Sequence, residues 1–392
     1  MKPIISRILV LLSLAASSHG DSIFDARGLG RDVIPAVGGT RALAGAVAAS
    51  KDPLLSSITC PCASAVADMV TITAGFADVR TNSSSLGEEH TTITSLFPSI
   101  SVVVPLKKVS LLTGLFLEKE GRLSLYQSGI YANTIYDGDY RRESSIHSVP
   151  IFVSGTVNRN LIVSAGLVIS FLDTREKTVI DFRSDEYLDT EDVFDMYGQG
   201  ESIAAGALLD LGRIRLSGLF RTGSEIDGTL QKENKAGGIW SSESIDISSQ
   251  ESFRLGLWVE PVDYLALEVD FDRTPWSQVA VAGSAISSGP VERFAVGLQY
   301  RGDHIWPASR FPLNMGYYRQ PLDWETPLTG EIVEQMLSLG TSFSMAQARA
   351  AVSVSFEIGR RRSEVSSDLE ETVLGFALSM SAIEAWRREI RR

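Results

Sequence analysis

The sequence predicts an all-β fold, a 14-stranded antiparallel transmembrane β-barrel with an N-terminal hatch inside its lumen. Three observations carry that reading. A secretory leader opens the chain, segments of about ten residues alternate apolar with small or polar side chains, and the connections between segments alternate between tight turns and long polar stretches.

Lys2 and Arg7 precede an apolar run from Ile8 to Ala16, and Ser17, Ser18 and Gly20 follow. Basic, apolar and small regions in that order make a signal peptide, assigned to residues 1–20. The run falls short of the roughly 20 apolar residues a spanning helix needs, and no later stretch supplies one. With 48 acidic against 36 basic residues the formal charge is −12, which excludes a nucleic-acid partner, because phosphate binding needs a clustered basic surface. No Pro-rich or Gly/Ser-rich linker divides the remainder, so one continuous architecture is expected. Cys60 and Cys62 flank Pro61. A bridge across one residue is strained and no matching histidines stand nearby, so the pair reads as two small apolar residues in a packed turn.

The strands follow in order. Met69–Ala77, Phe97–Pro105, Val109–Glu118, Ile146–Val157, Asn160–Leu172, Glu201–Asp210 and Ile214–Thr222 form the first half. Ser249–Val259, Asp263–Arg273, Val291–Arg301, Phe311–Arg319, Glu334–Met345, Ala348–Gly359 and Glu371–Ala382 form the second. The period of two is plainest where Val352, Val354, Phe356 and Ile358 alternate with Ser353, Ser355, Glu357 and Gly359. Tight turns are expected at Asn158–Arg159, Leu211–Arg213, Pro261–Val262 and Ala346–Gln347. Long loops are expected at Thr81–Ser95, Lys119–Ser145, Thr174–Gly200, Gly223–Ser248 and Gln320–Val333. Gly121–Asn133 is also strand-like, either a kinked extension of the third strand or an ordered loop.

Alternation alone does not separate a membrane barrel from a soluble sandwich. Glu268, Asp270 and Asp272 could face bulk water or a wet lumen. The leader, the asymmetric connections and the even count favour the membrane, where closure satisfies every backbone group that lipid cannot. Trp258, Tyr264, Trp276, Tyr300, Trp306, Tyr317, Tyr318, Trp324 and Trp386 lie mostly near strand ends, where interfacial girdles place aromatics.

Asp21–Asp68, rich in Gly and Ala, lacks the period and reads as a plug, leaving 69–392 as the barrel. The phrase Gly-Gly-Thr-Arg-Ala-Leu-Ala-Gly-Ala-Val-Ala-Ala from Gly38 to Ala49, followed by Asp52, Pro53 and Pro61-Cys62-Ala63, resembles the start of FadL-type outer-membrane transporters. Phe97-Pro98-Ser99 and Gly316-Tyr317-Tyr318-Arg319 extend the likeness along the chain. Two departures stand out. Cys60-Pro61-Cys62-Ala63 occupies the place where that family commonly has Asn-Pro-Ala, and Trp386 is followed by Arg387, Arg388, Glu389, Ile390, Arg391 and Arg392 rather than by a terminal aromatic.

The resemblance implies a bacterial outer-membrane barrel that passes hydrophobic compounds passively, long-chain fatty acids among them, and releases them sideways through a gap between strands. It implies no enzymatic activity, no cofactor and no metal. The expected partners are a hydrophobic small-molecule ligand, outer-membrane lipid and, during biogenesis, the barrel-assembly machinery, and the expected state is a monomer. The ligand-proximal candidates are Phe24, Arg41 and Leu43 in the hatch and Leu123, Leu125, Tyr126 and Tyr131 in the segment Leu123–Tyr131. Ordinary plug packing competes with that role at each. A lipid hydrolase would rest on His147 beside Ser145 and Ser148, and a barrel without cargo is the remaining alternative. Gly28-Leu29-Gly30 and Gly38-Gly39 complete no nucleotide fingerprint.

Overall fold

A computed structural model describes residues 30–34, 38–85, 88–131, 134–183, 188–235, 237–249, 251–275, 279–281, 284–286, 290–301, 312–322, 331–345, 350–363 and 370–384. The expected leader, residues 1–20, and Phe24, His304, Trp276, Trp306, Trp324 and Trp386 lie outside the described residues.

The short strand β1 (Arg31–Asp32) lies inside, and the wall starts with β2 (Val70–Ser85), β3 (Glu88–Leu106), β4 (Val109–Tyr131), β5 (Thr134–Asn158), β6 (Leu161–Phe182) and β7 (Thr190–Asp210). Four wall strands are then built from two pieces each. They are β8 (Ile214–Arg221) with β9 (Ser224–Asn234), β10 (Ile239–Ser249) with β11 (Ser252–Val262), β12 (Leu265–Pro275) with β13 (Val279–Val281), and β14 (Ser284–Ile286) with β15 (Pro290–Tyr300). Register runs unchanged across each break, since Arg221 pairs with Ser252 as Ser224 pairs with Ser249, and Pro275 pairs with Pro290 as Val279 pairs with Ile286. The wall ends with β16 (Leu313–Pro321), β17 (Ile332–Met345), β18 (Ala350–Ser363) and β19 (Glu370–Glu384), and β19 pairs with β2 to close a barrel of 14 strands. Each strand expected from the sequence overlaps one of these, with ends that differ by one or two residues in several cases, while Phe311 and Ala348 lie outside the described residues.

The long polar loops are a correction. Thr81–Ser95, Lys119–Ser145, Thr174–Gly200 and Gly223–Ser248 are mostly strand, laddered as hairpins that prolong the wall. The apolar period is a signal of lipid contact, so it fades where the sheet leaves the apolar belt, while backbone pairing continues without it. Arg122 opposite Glu143 and Arg142 opposite Glu176 show the polar pairs that replace it. Gly121–Tyr131 accordingly continues β4 beyond a bulge at Leu117–Lys119. Pro261–Val262 belongs to β11 rather than to a turn, whereas Ala346–Gln347 and most of Gln320–Val333 lie outside the described residues.

Burial decides which way the strands face. Along β18 Phe356 is 59% exposed and its neighbour Ser355 is 0% exposed. On β12 Leu267 is 39% exposed while Glu268 and Asp270 are buried. A soluble protein places these two classes the other way round. Exposed Leu255, Leu257, Leu337, Leu339, Ile358 and Met380 continue the outer apolar belt, and Phe220, Phe253 and Phe294 join it. A closed sheet, greasy outside and polar inside, is a transmembrane barrel of outer-membrane type.

The wall has a seam between β3 and β4. β3 and β4 pair only from Ser99–Phe116 to Leu106–Val109; further up, β3 pairs with β2 and β4 with β5. Pro98, lacking a ladder donor, stands where the pairing stops.

Candidate functional site

From Gly38 the chain crosses the lumen. Helix α1 (Gly38–Ala42) touches β16–β19 and β2, and the 3₁₀ turn Pro61–Val66 touches β3–β7 on the other side. Local chemistry shapes this inner segment. Asp52 caps the turn Pro53–Leu55 by accepting from the Leu54 amide at 2.9 Å, and prolines open both 3₁₀ turns, where their missing N–H costs nothing. Ala44 (φ 53°) and Gly45 (φ 74°) turn the chain sharply after α1. Gly316 faces that turn, and a Cβ there would collide with the backbone of Leu43 and Ala44.

Lumen-facing polar side chains hold the segment. Arg41 donates to Glu357 at 2.8 Å, both side chains being 6% exposed. Asp270 Oδ2 accepts from the amides of Val47 and Ala48 at 2.9 Å, and Glu268 accepts from Ala49 at 2.6 Å. Arg293 donates to the Ala44 carbonyl and Ser338 to that of Ala42. On the opposite side Ser154 donates to the Pro61 carbonyl (2.9 Å) and Ser110 to Ser64 (3.0 Å). The bonds made by Arg41, Asp270, Glu268 and Arg293 are charge-assisted, the strong kind in a low-dielectric interior. Both cysteines are free and buried, Cys62 lying 3.3 Å from Ser164, and burial pushes the Cys60 thiol well above the ordinary range. They pack as small residues.

Among the described residues, two cavities larger than 100 Å³ flank the segment. The first, about 160 Å³, is more apolar than polar in surface, with Val33, Ile34, Ile58, Phe152, Val168, Ala204 and Leu219 on its apolar side and Thr59, Ser170, Thr222, Ser224, Ser252 and Gln320 among its polar lining. Three acids and three arginines also border it, and they pair among themselves: Arg221 with Glu118 (2.7 Å), and Arg254 and Arg293 with Asp272. Asp32, the third acid, meets Lys119 at 3.0 Å. The second, about 450 Å³, lies toward the short turns and is polar, with Lys51, Asp52, Glu268, Gln299 and Arg301 around it and Arg215 stacked on Trp258 at 3.6 Å.

The structure gathers only some of the residues named from sequence. Arg41 is tied to Glu357, and Leu43 is buried with Val47, Leu55, Cys60 and Ala63. Leu123 and Leu125 sit on the inward face of β4 opposite Arg142 and Tyr140, Leu123 buried and Leu125 exposed, while Tyr126 points outward to Asp137. The Tyr131 side chain and Phe24 are outside the description. None of the five whose side chains are described borders the apolar cavity. Part of its lining comes from inward positions of β5, β6, β7 and β8, which alternation marks as a face but cannot bring together. His147 and Ser148 occupy opposite faces of β5, and Ser148 shares a hydrogen bond with Ser170 at 2.9 Å, so they form no acid–base pair.

No family model and no curated protein matches the sequence. Solved structures do match. A FadL homologue from Pseudomonas aeruginosa superposes with a TM-score of 0.64 over 91% of this chain and 100% of its own, at 14% identity. The chain has the FadL fold. The toluene transporters TbuX of Ralstonia pickettii (TM-score 0.56, 13% identity, 92% of this chain and 100% of that one) and TodX of Pseudomonas putida (0.55, 14%, 93% and 100%) share it. In this FadL-type barrel the residues bordering the apolar cavity are the candidate site.

Proposed function

We propose that the barrel passes small, uncharged hydrophobic molecules of single-ring size across the outer membrane. The observation that carries this reading is the apolar cavity of about 160 Å³ above the inner segment. An apolar cavity of about 150 Å³ is enough to hold benzene, and a long acyl chain needs far more room. Bordering charges balance and are paired, so nothing there selects a carboxylate, which favours an aromatic hydrocarbon over a fatty acid. Leu123 and Leu125 would border the approach from the long-hairpin end. The toluene transporters with the same fold point the same way. An apolar solute gains transfer free energy on leaving water for such a pocket, and the gain drives capture without an energy source.

Filling the cavity tests the reading. Ala204→Phe places a ring where the ligand would sit, and titration calorimetry of detergent-solubilised protein with toluene is expected to show at least tenfold weaker binding, about 1.4 kcal/mol. Oleate should bind neither form tightly. Toluene affinity unchanged by the substitution, or tight oleate binding to the wild-type protein, contradicts the assignment.

A further inference from the structure

We propose that Gln320 reads a neutral hydroxyl group on the ring that enters the apolar cavity, so that a phenol is favoured over a hydrocarbon of the same size. The inference rests on the single-ring reading above and names the substituent which that reading leaves open.

Alternation along β16 turns Asn314, Tyr318 and Gln320 to the lumen, and Gln320 is 3% exposed where it borders the cavity. Its side-chain amide makes no hydrogen bond to any described residue. The polar groups near it are already engaged. Across the ladder from Gln320, Glu334 accepts from the Tyr318 hydroxyl at 2.7 Å and from Arg361. Arg293 of β15 is tied to Asp272 and to the Ala44 carbonyl, and Arg254 to Asp272 as well. Elsewhere on the lining Arg221 donates to Glu118 and Ser202 at 2.7 Å and to Ser170 at 2.9 Å, and the Thr222 hydroxyl accepts from the Ile203 amide at 3.0 Å. Gln320 is left with its hydrogen bonds to give.

That leftover capacity selects the ligand. A hydrocarbon filling the cavity strips water from the amide and returns nothing, and a buried polar group left without a partner is penalised more heavily than a made bond is rewarded. A phenol restores the bond. Its hydroxyl both donates and accepts, as the amide does, so either orientation of the Gln320 side chain finds a match. A phenol also titrates near 10, at about the position of a tyrosine, and so stays neutral at ordinary pH. Neutrality suits a lining whose charges are paired among themselves. A site built to hydrogen-bond a hydroxyl turns away the analogue that lacks it.

Phenol and toluene provide the test, because a hydroxyl replaces a methyl group of similar size and the fit of the ring is unchanged. Titration calorimetry of the detergent-solubilised protein is expected to show phenol bound more tightly than toluene, by about threefold or more, although phenol is the less hydrophobic ring. In Gln320→Leu, which keeps the side-chain bulk, toluene binding should hold or tighten while phenol weakens by about tenfold or more, so the order reverses. Ala204→Phe should weaken both rings alike. Toluene preferred by the wild-type protein, an order that Gln320→Leu leaves unchanged, or phenol binding that Ala204→Phe spares overturns the inference. In the first two cases the single-ring reading still stands. Should Gln320→Leu bind neither ring, the wild-type order decides alone. Wild-type protein that binds neither ring removes the single-ring reading, and the role of Gln320 falls with it.

Discussion

Arg41→Ala is expected to free the inner segment from the barrel wall, and hydrogen exchange at Val47, Ala48 and Ala49 reads it out. Removing one partner of a buried ion pair leaves the other charge stranded, at a cost of roughly 3–5 kcal/mol. Glu357, with a side chain only 6% exposed, is that stranded group. Each 1.4 kcal/mol is about a tenfold change in the opening equilibrium, so protection of these amides should fall by two or more decades. They are informative because Asp270 and Glu268 hold them only while the segment is docked. The double replacement Arg41→Leu with Glu357→Leu strands no charge and should recover much of the loss. Protection unchanged in Arg41→Ala would mean that the ion pair contributes nothing to docking.

Phe356→Arg should destabilise the folded barrel in phospholipid vesicles by roughly 2–4 kcal/mol, measured by reversible urea or guanidinium unfolding. Phe356 lies midway along β18, 59% exposed and beside Phe376, with outward apolar residues on both neighbouring strands. Were this face wetted by water, a surface exchange of this kind would change stability by no more than about 0.5 kcal/mol. The size of the effect therefore separates lipid from water as the outer solvent, and a loss under 1 kcal/mol contradicts a membrane-facing β18.

Much of the barrel was readable in the sequence because lipid imposes a simple rule on it. Wherever Leu, Phe or Val had to meet acyl chains, the residue between them had to face the lumen, and segments such as Val352–Gly359 wrote that rule out residue by residue. Above the belt the rule lapses. Thr174–Gly200 looked like loop because neither face of the sheet meets lipid there, although Arg175 and Asp195 pair across it as they would in any strand. The candidate site was less readable for a different reason. Phe152, Val168, Ala204 and Leu219 stand on four successive strands, and only the register of β5 through β8 brings them to one cavity. Arg41 could be singled out as an isolated cation in a Gly/Ala-rich segment, but its partner Glu357 lies 316 residues away. The outward swing of Tyr126 follows from the bulge at Leu117–Lys119, which shifts the phase of β4 and which nothing in the local sequence announces.

Initial uptake of radiolabelled toluene by cells displaying the barrel tests the central claim most directly. At low toluene concentration the wild-type chain should raise the rate well above that of cells without it, and Ala204→Phe, inserted to the same level, should return the rate to that baseline. Uptake that is the same with the cavity open and with it filled would show that the cavity is not the path.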